Sequence, residues 1–273
     1  MNPCEYTYSD TILDVKGLNK TLDGKPILRD LSIDLKEIVR ANHAQGQVVA
    51  LIGPSGMGKT TFFRLLAGLD KPDSGSITVN GGDVHRGTVG VVAQHYPLLG
   101  HRTVLGNMMV AGRQAGMSSS EAAKRSNELL TFFGLADQLQ KYPPQLSGGQ
   151  RQRVAIAQQI ICGEHLLLMD EPFSGLDLLA IQMVIDLISE IVCADDLKTF
   201  VLVTHDIVSA MQVADTIWML GRDRDADGRP IPGARIVKTY NLMDLGLAWQ
   251  KGITGTPEFV GLIQEIRALF PSL

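Results

Sequence analysis

Three apolar runs, Val48 to Ile52, Leu166 to Met169 and Phe200 to Val203, pass without a polar interruption and then stop at glycine, acidic or Thr-His residues. A strand with no polar alternation is one buried on both faces, which is how a parallel sheet covered by other layers reads. Helical periodicity follows the first run, with Phe62, Phe63, Leu65, Leu66 and Leu69 on one pattern. SSSEAAKRSNELLTFFGL starts at a serine cap with Glu121 close behind and ends at Gly134, so it is predicted to be a helix. Leu178 to Cys193 is greasy but broken by Gln182, Asp186 and Glu190, which predicts an amphipathic core helix. Short β segments across 12–35 and 75–92, with turn signals at Asp23-Gly24 and Asn80-Gly81-Gly82, predict an antiparallel layer.

The last third changes character. Strand-like Thr216 to Leu220 and Arg235 to Tyr240 flank GRDRDADGRPIPG, a loop longer than hairpin loops usually are, and its charges predict a solvated surface. Near the end, Thr256 can cap a helix that Pro257 begins. Its apolar stripe of Phe259, Leu262, Ile263, Ile266, Leu269 and Phe270 is expected to dock on its own domain. No internal repeat or low-complexity tract interrupts the pattern.

Chemistry enters where the apolar runs stop. Gly53-Pro54-Ser55-Gly56-Met57-Gly58-Lys59-Thr60 follows a strand and opens a helix, the context that gives G-x-x-x-x-G-K-[ST] its meaning as a phosphate loop. Glycines let consecutive N–H groups face phosphate oxygens, and the helix N-terminus adds partial positive charge. Lys59 is then expected to reach the β- and γ-phosphates and the Thr60 hydroxyl to ligate Mg²⁺. The second run ends in Asp170-Glu171, at the carboxyl end of a strand, where ligands bind in open α/β sheets. Asp170 is the candidate to help hold Mg²⁺, and Glu171 the candidate base for an attacking water.

With these residues in order, the chain resembles the nucleotide-binding subunit of ATP-binding cassette (ABC) transporters over roughly residues 12–240. The resemblance implies an α/β fold with a P-loop NTPase (RecA-like) core, an antiparallel β layer and an inserted helical subdomain over 95–160, followed by a 241–273 extension. Gly53 to Thr61, Thr61 included, would cradle ATP. LSGGQRQRVAIAQ (146–158) is similar to the family signature, in which Ser147, Gly149 and Gln150 would contact the γ-phosphate of ATP held by a second copy. Ser147 also reads as an N-cap, so the amides behind it face an anion. Gln94 resembles the Q-loop glutamine, which touches the metal and links the site to the membrane partner. Asp177 in Ser174-Gly175-Leu176-Asp177 resembles the D-loop residue that bridges protomers, and His205 the switch histidine that senses the γ-phosphate. His95 to Leu99 would line a groove for a helix of the membrane subunit. The implied partners are a second ATPase subunit, membrane-spanning permease subunits and a solute-binding protein, with the chain at the cytoplasmic face. YPLLGHRTVLGNM looks most like importers of nitrate, sulfonates or taurine.

The chain also departs from the family pattern. Leu22 stands where an aromatic residue commonly stacks on adenine, with Tyr6 or Tyr8 as conceivable substitutes; such stacking is worth about 1–3 kcal/mol. Residues 36–46 look longer than the usual turn, and Gln158 replaces an arginine often found there. Composition narrows the classes. A net charge of −4 gives no basic footprint for nucleic acid. Cys4, Cys162 and Cys193 are too scattered for a disulfide framework, which suits a reducing compartment. Neither a signal region nor a membrane-length apolar run is visible. An assembly ATPase of the iron–sulfur cluster type, and an efflux or lipoprotein-release ATPase, remain open. A DNA-repair or translation cassette is disfavoured by the lack of a coiled-coil insertion, a second cassette or a basic surface.

Overall fold

The structure is a computed structural model that describes residues 6–40, 43–93, 97–163, 165–194, 198–248, 250 and 252–273. In chain order the strands and helices are β1 (Tyr6–Leu22), β2 (Lys25–Arg40), β3 (His43–Gln45), β4 (Gln47–Ile52), α1 (Lys59–Leu66), β5 (Ser74–Val79), β6 (Gly82–Asp83) and β7 (Gly90–Val92). They continue with α2 (Val104–Gln114), α3 (Ser119–Phe132), α4 (Gly148–Ile161), β8 (Leu166–Asp170), α5 (Leu178–Ala194) and β9 (Thr199–Thr204). The chain ends with α6 (Ile207–Val213), β10 (Thr216–Gly221), β11 (Arg235–Asn241) and α7 (Pro257–Leu269).

A six-stranded sheet runs β11-β10-β4-β9-β8-β7, parallel except for β11. Its uninterrupted apolar strands serve two cores, because successive side chains point to opposite faces. Along β9, Phe200 and Leu202 pack into one core with the α4 and α5 side chains Ile156, Ile160, Leu187 and Ile188. Val201 and Val203 point the other way, into a second core with Leu13, Val15 and Leu31 of the antiparallel sheet and Phe62 and Phe63 of α1. The same alternation divides Val48, Ala50 and Ile52 from Val49 and Leu51 on β4.

The second sheet, β3-β2-β1-β5-β6, is antiparallel. Both predicted turns form: Asp23 and Gly24 have φ of 50° and 74°, and Asn80 and Gly81 have 49° and 77°. Two successive residues with positive φ make the tight turn whose twist matches a hairpin. The strands outrun the sequence reading. Residues 36–46 are not an enlarged turn: β2 continues to Arg40, and Val39 pairs with Thr7 on one side and Ala44 on the other. Only residues 41 and 42, between β2 and β3, lie outside the described part.

The helical expectations hold where caps announced them. Ser118 caps α3 and forms a reciprocal capping box with Glu121. Thr256 caps α7, whose Phe259, Leu262, Ile263 and Ile266 are buried in the first core. α5 buries Val184, Ile185, Leu187, Ile188 and Ile191, but its first turns leave Leu178, Leu179 and Met183 84%, 76% and 60% exposed. The loop before β11 is solvated over 224–230 and fixed at both ends. Asp223 accepts from Arg29 and Arg235, while Ala234 exchanges backbone hydrogen bonds with Ile27 and Arg29, joining the two sheets.

Candidate functional site

The carboxyl ends of β4, β8 and β9 supply the loops of one site. Gly53 leaves β4 so close to β10 that a Cβ on it would lie 2.5 Å from the Leu220 carbonyl oxygen. Gly56 and Gly58 have φ of 78° and 94°, a region that L side chains rarely adopt. Gly58 also N-caps α1 with no side chain to accept a hydrogen bond, and no acidic residue stands in the helix's first turn. The first amides of α1 are thus left for an outside anion, whereas serines cap α3 and α4. Ser55, Gly56 and Thr60 are exposed, while Pro54, Met57 and Thr61 are half-buried.

Lys59 is buried, and its Nζ donates to the carbonyls of Gly53 at 2.7 Å and Pro54 at 3.0 Å. Burial pushes the Lys59 ammonium below its ordinary pKa, and the negative charges of Glu171 and Asp170 pull it back up. Those carboxylates are thus near enough to act on it. Burial, then the Glu171 charge, pushes the Asp170 carboxyl up, with Lys59 opposing. A half-buried carboxylate held in this way favours a cation beside it. Among the described residues no group of three or more His, Cys, Asp or Glu could form a cage for a metal ion. Mg²⁺ is commonly held by one or two protein oxygens together with substrate phosphates, and the Asp170 carboxylate and the exposed Thr60 hydroxyl are oxygens of that kind.

Glu171 is tied to β9. Its own backbone is left-handed, with φ of 47°, and its amide donates to the Val203 carbonyl at 2.8 Å. One carboxylate oxygen accepts from the Thr204 hydroxyl at 2.9 Å, and the other lies 2.8 Å from His205 Nδ1, which donates. Asp206 then caps α6 by accepting from the Ser209 amide. The Asp170-Glu171 pair and His205, found on separate runs of sequence, meet because β8 and β9 are parallel neighbours with Asp170 opposite Val203.

The signature segment stands elsewhere. Ser147 caps α4 and forms a reciprocal box with Gln150 at 3.2 and 3.0 Å, so both side chains bond within their own turn. Gly149, half-buried, lies in the same first turn. Asp177 also bonds locally, accepting from the Ala180 amide at the start of α5. Gln94, together with His95 and Tyr96, lies outside the described residues. Leu98 packs on the first core and Leu99 exchanges bonds with the Asn107 side chain. Gln158 donates to the Asn107 carbonyl, so it links α4 to α2.

Two side chains near Glu171 escaped the sequence reading. Thr204 stands in the sequence only as the polar residue at which an apolar run stops, with nothing there to link it to Glu171, and buried Gln152 donates to the Pro172 carbonyl, joining α4 to the residue after Glu171. The suggested aromatic substitutes are corrected. Leu22 is exposed at the β1–β2 turn, but Tyr6 and Tyr8 lie at the opposite end of β1, paired with Arg40 and Ile38. Both hydroxyls accept from Asn241, and that of Tyr6 donates to Asp244, so neither ring can reach a base held near Leu22.

A family model described as "ABC transporter" matches residues 37–174. The sulfate/thiosulfate import ATP-binding protein CysA of Pectobacterium atrosepticum is 38% identical over 219 residues, covering 77% of this chain and 64% of that protein. The chain thus spans less than two-thirds of the length of that relative. The arginine transport ATP-binding protein ArtM of Bacillus subtilis is 36% identical over 230 residues, covering 80% of this chain and 92% of ArtM. Among solved structures, a dimeric post-hydrolysis state of the ATP-binding cassette MJ0796 bound to ADP and Pi superposes with a TM-score of 0.67 at 27% identity, covering 85% of this chain and 99% of that one. The fold is also that of cbiO1 from Clostridium perfringens, with a TM-score of 0.74 at 24% identity over 94% of this chain and 100% of that one.

Proposed function

This chain belongs to the ABC transporter family of ATP-binding cassettes, and on that premise we propose that it hydrolyses Mg-ATP between two head-to-tail copies to drive solute import through membrane-spanning permease subunits. The observation that carries this reading is the convergence of Asp170, Glu171 and His205 beside the uncapped first turn of α1 and Lys59. In this reading the loop from Gly53 to Thr61 holds the phosphates through its amides and Lys59. Thr60, Asp170 and Gln94 hold Mg²⁺, which when bound neutralises charge on the phosphate oxygens. Glu171 takes the proton of the attacking water, and His205 fixes the carboxylate from one side while facing the γ-phosphate.

Ser147, Gly149 and Gln150 serve the ATP held by the second copy, and Asp177 stands at the crossing between the two. The exposed Leu178, Leu179 and Met183 that follow Asp177 support a covered face there. A dimeric relative bound to ADP and Pi supports the sandwich. The name of CysA supports import, and that of ArtM supports transport of a small solute. The finer reading, a system for nitrate, sulfonates or taurine with its own solute-binding protein, rests on YPLLGHRTVLGNM. No helix among the described residues is long and apolar enough to cross a membrane, so the proposed place is peripheral, at the cytoplasmic face on the permease.

The test is Glu171→Gln. It should bind ATP, lose turnover by about 100-fold or more, and accumulate as a dimer in ATP. Hydrolysis at the wild-type rate would remove Glu171 as the base. The same trapped form, tagged and purified from solubilised membranes, should bring a multispanning chain with it. Recovery of a soluble scaffold alone would replace transport with assembly.

A further inference from the structure

Glu171 is held to β9 at three points, and the three are unequal. Its amide is fixed to Val203, a contact that any residue would make. His205, which meets one carboxylate oxygen, is 63% exposed at its side chain and open to competition from water. Thr204, which meets the other, is fully buried. A hydrogen bond shielded from solvent is both stronger and costlier to lose.

The direction of that bond is fixed by its neighbour. A hydroxyl has one proton to donate, and its lone pairs accept. The Asp206 amide, which can only donate, points at Thr204 Oγ1 from 3.1 Å and takes an acceptor position. The proton of the hydroxyl therefore goes to Glu171 Oε2, at 2.9 Å. Glu171 sits at φ 47°, so its side chain leaves a backbone conformation that its own torsional preferences do not favour. Its aim has to come from outside.

We propose that Thr204 is a positioning residue for hydrolysis: its hydroxyl, polarised by the Asp206 amide, fixes the Glu171 carboxylate so that the oxygen facing His205 is presented to water. This rests on the reading of Glu171 as the base. The threonine touches no reacting atom in this scheme. Its methyl is buried with the rest of the side chain at the end of β9 while its hydroxyl aims the acid, so the two halves of the side chain are separable by substitution.

Thr204→Val keeps the β-branched shape and removes the hydroxyl, and Thr204→Ser keeps the hydroxyl and removes the methyl. Both should be assayed in the full chain for ATP turnover, ATP affinity and melting temperature, beside Glu171→Gln and the double variant Thr204→Val/Glu171→Gln. The expected result is a loss in kcat of about 100-fold for Thr204→Val with ATP affinity within about twofold, and recovery to within about fivefold in Thr204→Ser. The double variant should turn over no more slowly than Glu171→Gln, since the hydroxyl has nothing left to aim.

The proposal is overturned if Thr204→Val keeps kcat within twofold while Glu171→Gln is inactive. It is also overturned if Thr204→Ser fails with Thr204→Val, or if affinity falls as far as kcat, since either marks a structural role. If Glu171→Gln itself retains turnover, the assignment of the base fails, which is a different outcome from a silent threonine.

Discussion

Gly53→Ala tests whether the phosphate loop owes its position to close packing of two strands. The backbone there is not left-handed, so alanine meets no dihedral penalty and the substitution adds one methyl group and nothing else. That methyl would stand 2.5 Å from the Leu220 carbonyl oxygen and 3.4 Å from the Leu220 carbonyl carbon and Cβ. Ordinary contact begins near 3.5 Å, so the strands must part by roughly 1 Å at this point. They cannot do so freely. β4 and β10 are hydrogen-bonded from Thr216 to Met219, and Met219 and Leu220 are packed into opposite cores. Overpacking of this kind costs up to about 3 kcal/mol. In a chain of this size that lowers the melting temperature by up to about 5 °C.

Gly81→Ala is the control. Gly81 has φ 77° with nothing within 4 Å of an added Cβ, so it carries a dihedral penalty of about 1 kcal/mol and no clash. Thermal melts of both variants by circular dichroism, with a nucleotide-binding titration of each, make the comparison. The expected order is a larger loss of stability in Gly53→Ala, joined by weaker binding. Equal melting temperatures for the two variants would show that β10 gives way for no more than the control's cost of about 1 kcal/mol, and the argument would be refuted.

Two further outcomes follow from particular contacts. Asp223 has its pKa lowered first by its hydrogen bond from Arg235, with Arg29 adding to it, so its ionised form favours the folded state. That stability is present above the unfolded aspartate value, about 4, and is lost as pH falls through the folded value. Asp223→Asn should therefore cost about 1–2 kcal/mol in urea melts at pH 7, with a gap from the wild type that narrows below about pH 4. A gap that stays constant across this range would assign the loss to packing instead. Ile266→Ala tests the docking of α7: with the side chain fully buried, about 2–4 kcal/mol should be lost in the same melts, and a loss under about 1 kcal/mol would show a loosely held helix.

What could be read in the sequence was what local chemistry decides. The runs in β4, β8 and β9 announced themselves because double burial removes every polar alternation, and Ser118, Ser147 and Thr256 announced their helices because a capping side chain sits next to the amides it serves. The phosphate loop was legible for the same reason. What could not be read depends on which distant segment lies alongside. Residues 36–46 carry no strong strand pattern, yet β1 and β3 draw Val39 into a sheet by pairing on both sides. Tyr6 and Tyr8 had a plausible use near Leu22 until the β1–β2 register put them at the far end of the hairpin. Thr204 showed only as the polar end of an apolar run, because its meaning comes from β8 lying beside β9 with Asp170 opposite Val203.

The place of β4 in its sheet has a consequence for how the molecule fails. All six of its residues are buried, and its hydrogen bonds run to β10 on one side and β9 on the other. Strands at the rim, such as β3, β6 and β7, can open singly, so their amides should exchange with solvent through small fluctuations. The amides of β4 can exchange only when neighbours on both sides have let go, which is close to opening the whole domain. The root of the phosphate loop is thus among the last parts to open, and its capacity for nucleotide should disappear in a single step with the fold, leaving no frayed but intact form that has merely lost its ligand.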